Sequence, residues 1–172
     1  WAYSKFGLRP IPETLDALKQ VAPGLIRKMS PQQVSNTLYG YASLSRTATD
    51  DTRDTAMSKV PLAELEEAIK RVAPDMNSQN VANTIWAYGT LGVPPSPHVI
   101  DELEAALRRV VTEMIPQHLS NIIWAYSKFG LRPMPESLDA LKQVAPGLIR
   151  KMKPQEVSNT LYGYASLSRT AT

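Results

Sequence analysis

"SPQQVSNTLYGYASL", residues 30–44, decides the fold, because the chain repeats it with small changes as "NSQNVANTIWAYGTL" at 77–91, "IPQHLSNIIWAYSKF" at 115–129 and "KPQEVSNTLYGYASL" at 153–167. At 100° per residue, Val34, Leu38, Tyr41 and Leu44 fall on one side of a helix and predict a buried stripe, while Gln32, Asn36 and Ser43 fall on the other. Ser30 stands at the N-cap, Pro31 at the first helical position and Gln33 three residues after the cap, which is the pattern of a capping box. Asn77 holds the cap position in the second copy. This motif is helix A.

Working outward, equivalent methionines fall at Met29, Met76, Met114 and Met152, spaced 47, 38 and 38 residues apart. The unit is 38 residues long, and the longer interval carries a polar stretch, "TATDDTRDT" at 47–55, that reads as a loop insertion. Residues 1–49 match 124–172 at 45 of 49 positions, the differences being Ile11/Met134, Thr14/Ser137, Ser30/Lys153 and Gln33/Glu156. A second helical pattern, helix B, precedes each helix A. It is clearest in "SPHVIDELEAALRRVVTEM" at 96–114, where Ser96 is expected to cap, Pro97 starts, and Ile100, Leu103, Leu107 and Val110 form the apolar stripe. "PETLDALKQVA" at 12–22 and "PESLDALKQVA" at 135–145 are its counterparts, and Pro23 and Pro146 are expected to end or kink them.

A helical hairpin of this size cannot bury its apolar faces alone, so neighbours must stack. The expected fold is all-α: an α-solenoid of stacked antiparallel helix pairs forming a single array over 1–172, with one layer of equivalent helices lining a concave surface. Helix A segments are expected near 1–8, 30–45, 77–92, 115–130 and 153–168; helix B segments near 12–28, 58–73, 96–113 and 135–151; and the insertion loop at 46–57. "WAYSKFGL" at 1–8 matches 124–131, so the chain opens inside a motif, and "LYGYASLSRTAT" ends it just after one. The array is therefore expected to be truncated at both ends, with further repeats or another chain covering them and any targeting segment lying outside these residues.

Composition narrows the function. Without cysteine, disulfides, thiol catalysis and cysteine metal sites are excluded. His98 and His118 are too few for a zinc or general-base cluster, and Asp50, Asp51 and Asp54 lack the spacing of a calcium loop. No phosphate-cradling glycine loop, nucleophile elbow or paired-carboxylate site is recognisable, so no enzyme activity, cofactor, metal or small-molecule substrate is expected. No apolar run approaches the roughly 20 residues that span a bilayer, so no membrane partner is expected. A net charge of +3 permits an acidic partner without demanding one.

The period, the Pro-Gln that opens helix A, and the signatures "SNTLYGYASL", "ANTIWAYGTLG" and "SNIIWAYSKFG" resemble the octotricopeptide repeat family. That resemblance covers essentially the whole chain. It implies a paired-helix solenoid that binds single-stranded RNA in a chloroplast or mitochondrion and acts in RNA maturation, stability or translation, or sits on ribosomal RNA. The rival reading is a protein-binding scaffold, because α-solenoids also grip peptides and partner subunits.

Within the repeat, one polar position changes while its neighbours hardly do: Gln33, Asn80, His118 and Glu156. One variable hydrogen-bonding side chain per unit suits base reading by a helical-repeat protein, and it equally suits closure of a capping box at the third helical position. Constant amides, Gln32, Gln79, Gln117 and Gln155 with Asn36, Asn83, Asn121 and Asn159, form a ladder that either holds the RNA backbone or bonds between stacked repeats. Lys128, with Lys5 as its counterpart, continues that line and suits phosphate, or is simply solvated. Arg27, Lys28, Arg108, Arg109, Arg150, Lys151 and Lys153 cluster at the B-to-A junctions; of these Arg109 and Lys153 are the backbone-contact candidates, with the helix-dipole complement as the plain alternative. The aromatics Tyr39, Trp86, Trp124 and Tyr162 are expected to pack between repeats rather than stack on bases, and Tyr41, Tyr88, Tyr126 and Tyr164 to lie in the core.

Overall fold

Each copy of the motif is a helix, and so is the segment between copies. A computed structural model describes residues 24–47 and 60–169 together with Asp16, Ala17, Gln20 and Ala22. Helix A at 1–8, Lys5, most of the first helix B, Pro23 and residues 48–57 of the insertion lie outside the described residues. In chain order the helices are α1 (Pro31–Thr47), α2 (Leu62–Val72), α3 (Ser78–Leu91), α4 (Pro97–Val110), α5 (Pro116–Phe129), α6 (Pro135–Ile149) and α7 (Pro154–Arg169). Single 3₁₀ turns, Ala73–Asp75 and Val111–Glu113, follow α2 and α4, and the described residues contain no strand.

The odd-numbered helices, the A set, pack directly on one another in sequence as one layer, and α2, α4 and α6 form a second layer beside it. This is the all-α stacked-pair arrangement that the repeat requires. Small residues let the A helices approach: a Cβ on Gly89 would lie 2.8 Å from the Cα of Ala125, and one on Gly163 would lie 2.7 Å from Cγ2 of Ile123. The apolar stripes meet between the layers, where Val34, Leu38, Leu65, Ile69, Val81, Ile85, Leu103, Leu107, Leu119 and Ile123 are fully buried. Each such side chain contributes about 1.5–3 kcal/mol relative to exposure.

Helix ends follow local chemistry. Gly92 and Gly130 take left-handed conformations, φ 75° and 66°, and stop α3 and α5, since a glycine meets no Cβ penalty there. Ser45 and Ser168 occupy that position in α1 and α7, which run on to Thr47 and Arg169. Arg46 and Thr47 thus belong to helix α1 and not to the insertion loop. Two further expectations are corrected. Pro146 does not end the helix where it stands, because Val144 and Leu148 pack against the core on either side of it and α6 runs three residues further, to Ile149. Ser96 makes no side-chain cap; its backbone N–H donates instead to Oε1 of Glu66 at 3.1 Å.

That glutamate belongs to a repeated tie between layers. Tyr88 Oη donates to Glu66 Oε1 at 3.3 Å, and one unit later Tyr126 Oη donates to Glu104 Oε1, which also accepts from the Met134 N–H at 3.2 Å. Burial, then the neighbouring glutamate, pushes both phenols well above the ordinary tyrosine range. In the last unit Lys142 replaces the glutamate and Tyr164 stands exposed. A second tie uses arginine: Arg71 Nη2 donates to the carbonyls of Ile26 and Met29 at 3.3 and 2.9 Å, and Arg109 Nη2 to those of Ala73 and Met76 at 3.2 and 2.6 Å.

Candidate nucleic-acid interface

The first turn of each A helix accounts for the variable position. Ser30 N–H donates to Gln33 Oε1 at 2.9 Å, Asn77 N–H to Asn80 Oδ1 at 3.4 Å, Ile115 N–H to His118 Nδ1 at 3.5 Å and Lys153 N–H to Glu156 Oε2 at 2.6 Å. In the first two helices the cap side chain answers, Ser30 Oγ and Asn77 Oδ1 accepting from the N–H of Gln33 and Asn80 at 3.3 and 2.9 Å. Ile115 and Lys153 have no side-chain acceptor, so α5 and α7 keep half the box. Every residue at this position closes a cap, and Asn80 and His118 are buried besides. Burial also lowers the His118 pKa, which keeps its imidazole neutral and Nδ1 free to accept. Gln33 stays exposed and Glu156 half-exposed.

The constant amides have a different environment. Gln32, Gln79, Gln117 and Gln155 are exposed; Asn36 is exposed and Asn83, Asn121 and Asn159 are half-buried. Gln155 Nε2 donates to Asn159 Oδ1 at 2.9 Å within α7. Among the described residues no amide of this ladder bonds to the next repeat, so most of its donors and acceptors face solvent unpaired. Helical spacing then carries the line onward, since positions i, i+4, i+7 and i+11 share a face. Gln79, Asn83, Trp86 and Thr90 lie on it in α3, and Gln117, Asn121, Trp124 and Lys128 in α5.

The aromatics of that line form a column along the layer. Tyr39 and Trp86 stack with ring centroids 4.7 Å apart and planes at 29°, and Trp86 and Trp124 lie 6.4 Å apart at the same angle. They do pack between repeats, as the sequence suggested, yet Tyr39, Trp86 and Trp124 are only half-buried and Tyr162 is 51% exposed. Between Trp124 and Tyr162 the column is bridged by a cation: Lys128 Nζ sits 5.4 Å from the Trp124 ring centre, 4.9 Å from that of Tyr162 and 3.4 Å from its hydroxyl. The ammonium group draws the Tyr162 phenol below its usual pKa. Arg46, which sequence reasoning passed over, lies 5.9 Å from the Trp86 ring centre. Its signal was present, because Arg46 is seven residues beyond Tyr39 on the same helix.

The junction cations divide. Arg109 is exposed but holds the carbonyls of Ala73 and Met76 through Nη2, and Arg108 Nη1 donates to Ser137 Oγ at 2.9 Å. Lys153 is exposed with its ammonium unpaired, and Arg27, Lys28, Arg150 and Lys151 are exposed as well. Among the described residues no helix is long and apolar enough to cross a membrane, and no group of three or more His, Asp or Glu could hold a metal ion.

The arrangement is a strip of amides, free but for the Gln155–Asn159 pair, beside stacked, half-open rings, with Lys128 and Arg46 lying over the rings. Rings of this kind offer π-faces to unpaired bases, and amides and ammonium groups offer donors to phosphate and ribose. Among protein families, the model described as Tbc2 translation factor, N-terminal domain, matches residues 54–168. No curated protein matches the chain.

Proposed function

The chain belongs to the family of the Tbc2 translation factor N-terminal domain, and from that premise we propose that it binds single-stranded RNA along the outer strip of its A layer and serves translation in an organelle. The observation that carries this reading is the strip itself: largely unpaired amides and a half-exposed aromatic column in register across successive repeats, with Arg46 over Trp86 and Lys128 over Trp124. Its repeat signature, which resembles octotricopeptide repeats, supports the same class of ligand and an organellar setting.

In this reading bases stack against Trp86, Trp124 and Tyr162. Gln79, Asn83, Gln117, Asn121, Gln155 and Asn159 bond sugar and base edges, and Lys128 meets phosphate. The capping residues play a smaller part than a base code would give them. Gln33 and Glu156 keep exposed atoms that can touch a nucleotide, whereas a base reaching Asn80 or His118 would have to open a buried cap. The action is steric: shielding a transcript, holding it unpaired, or presenting it to the translation machinery.

Titration of the purified chain against random single-stranded RNA and its DNA equivalent, at two salt concentrations, tests the reading. Binding that prefers RNA and weakens with salt is expected. Absence of RNA binding by folded protein refutes it.

A further inference from the structure

The arginine tie between successive B helices is made twice and then omitted. Arg71 and Arg109 each stand five residues before a unit's methionine, and each guanidinium reaches back one unit to two carbonyls, that of the methionine there and that of the residue three before it. At the next junction the position five before Met152 is Gly147. The acceptors that correspond to Ala73 and Met76 are the carbonyls of Val111 and Met114, and among the described residues they receive no guanidinium. In its place is an open surface depression of about 570 Å³, whose walls include Val111, Met114, Gly147, Arg150 and Lys151. Both acceptor residues and the glycine are in its wall, so the depression adjoins the place the missing side chain would take.

We propose that this depression is a docking socket for an arginine of a protein partner, carried beside an acidic residue. The molecule itself supplies the template for the guanidinium, because two filled copies of the same pair of carbonyls show which group fits. Arginine suits the socket better than lysine, since its planar fork can donate to two acceptors at once in a fixed geometry. The rim identifies the neighbour. Arg150 and Lys151 are exposed and hold no carboxylate among the described residues, so a lone cation would enter against two like charges, whereas a carboxylate next to it pairs with them. Pro74 and Asp75, and Thr112 and Glu113, occupy the corresponding positions in the two units that carry the arginine, while the unit ending at Met29 has Gly24 with Arg27 and Lys28, so a basic rim accompanies the glycine. The socket lies at the C-terminal end of the B layer, and the aromatic strip lies on the A layer.

The test uses the whole chain, isotope-labelled, and the blocked tetrapeptide Gly-Arg-Asp-Gly. The peptide is expected to shift the amide resonances of residues 111–114 and 143–151, and replacing its arginine by lysine to weaken binding by about fivefold or more. Gly147→Arg should close the socket from within. Nothing lies within 4 Å of a Cβ at residue 147, so the substitution is accommodated. Gly147→Arg is expected to abolish the peptide shifts and to raise the Tm beyond the gain of Gly147→Ala, which carries the helix-propensity part of the effect. Equal binding of the lysine peptide, shifts at 111–114 from inorganic phosphate but not from the peptide, retained binding by Gly147→Arg, or a Tm no higher than that of Gly147→Ala would each overturn the proposal. RNA titration of the same variants is independent of this outcome, so failure here leaves the RNA reading standing.

Discussion

Trp86→Ala is the substitution that most directly separates a structural aromatic column from a base-stacking one. Trp86 stacks on Tyr39 at 4.7 Å, lies 6.4 Å from Trp124 and sits beneath Arg46 at 5.9 Å. Removing it deletes two ring pairs, each about 0.5–1.5 kcal/mol beyond area burial, so the fold should lose about 1–3 kcal/mol from the pairs in addition to the burial of a half-covered indole. The ring is half-buried at the edge of the core and its helix keeps Val81, Ile85 and Tyr88 fully buried, so the variant is expected to fold. If a base stacks on Trp86, the loss in RNA affinity is about 1–3 kcal/mol, which is about 5- to 150-fold in Kd. Fluorescence anisotropy with a short labelled single-stranded RNA, at several salt concentrations, reads that change, and circular dichroism confirms helix content. The dependence of affinity on salt should stay as in the parent, because the indole carries no charge and releases no counterion. Trp86→Phe keeps a ring and should recover part of the affinity. A folded Trp86→Ala chain that binds RNA within about twofold of the parent would refute base stacking at this column.

Three other outcomes are expected. Lys128→Ala should weaken all RNA sequences alike, reduce the salt slope by about 0.7, and let the Tyr162 phenol rise toward its ordinary pKa in an ultraviolet titration; an unchanged slope would remove Lys128 from the phosphate path. Glu104→Ala leaves the Tyr126 hydroxyl and the Met134 N–H without their buried acceptor, so urea unfolding should report a loss of about 2–5 kcal/mol, and a loss under about 1 kcal/mol would contradict the tie. His118 has a folded pKa lowered by burial, so the unfolded chain binds its proton more readily; its contribution to stability is complete above the unfolded value near 6.5 and is lost as pH falls through the folded pKa. His118→Gln keeps a cap acceptor without the titration, and its stability should vary less between about pH 7 and 5, as followed by thermal unfolding.

Much of the fold was legible because its determinants are local and repeated. The 3.6-residue spacing of Val34, Leu38 and Tyr41, the Ser30/Gln33 and Asn77/Asn80 pairs, and the prolines that start helices act within one or two turns, so one unit read correctly gives the rest. The readings that failed depended on contacts across the stack. Pro146 has the chemistry of a terminator, yet Val144 and Leu148 anchor the helix on either side of it. Ser96 has the chemistry of a cap, yet a glutamate 30 residues earlier takes its backbone N–H.

The site shows the same division. Sequence by itself determined the class of side chain at each position of helix A and its angular place: the amides, aromatics and Lys128 share one face whatever their neighbours are. Only the tertiary structure decided which of these groups are free. The variable residues Gln33, Asn80, His118 and Glu156 turn back onto the N–H of the residue three before them, and Arg109 is held by carbonyls 36 and 33 residues earlier in the chain. The amide strip keeps most of its groups unpaired because adjacent A helices meet along their small residues, Gly89 on Ala125 and Gly163 against Ile123, and leave the Gln-Asn-aromatic edge outside the contact. A helix defines its faces from its own sequence; which face is covered is set by where the next helix lies, and that is a property of the stack.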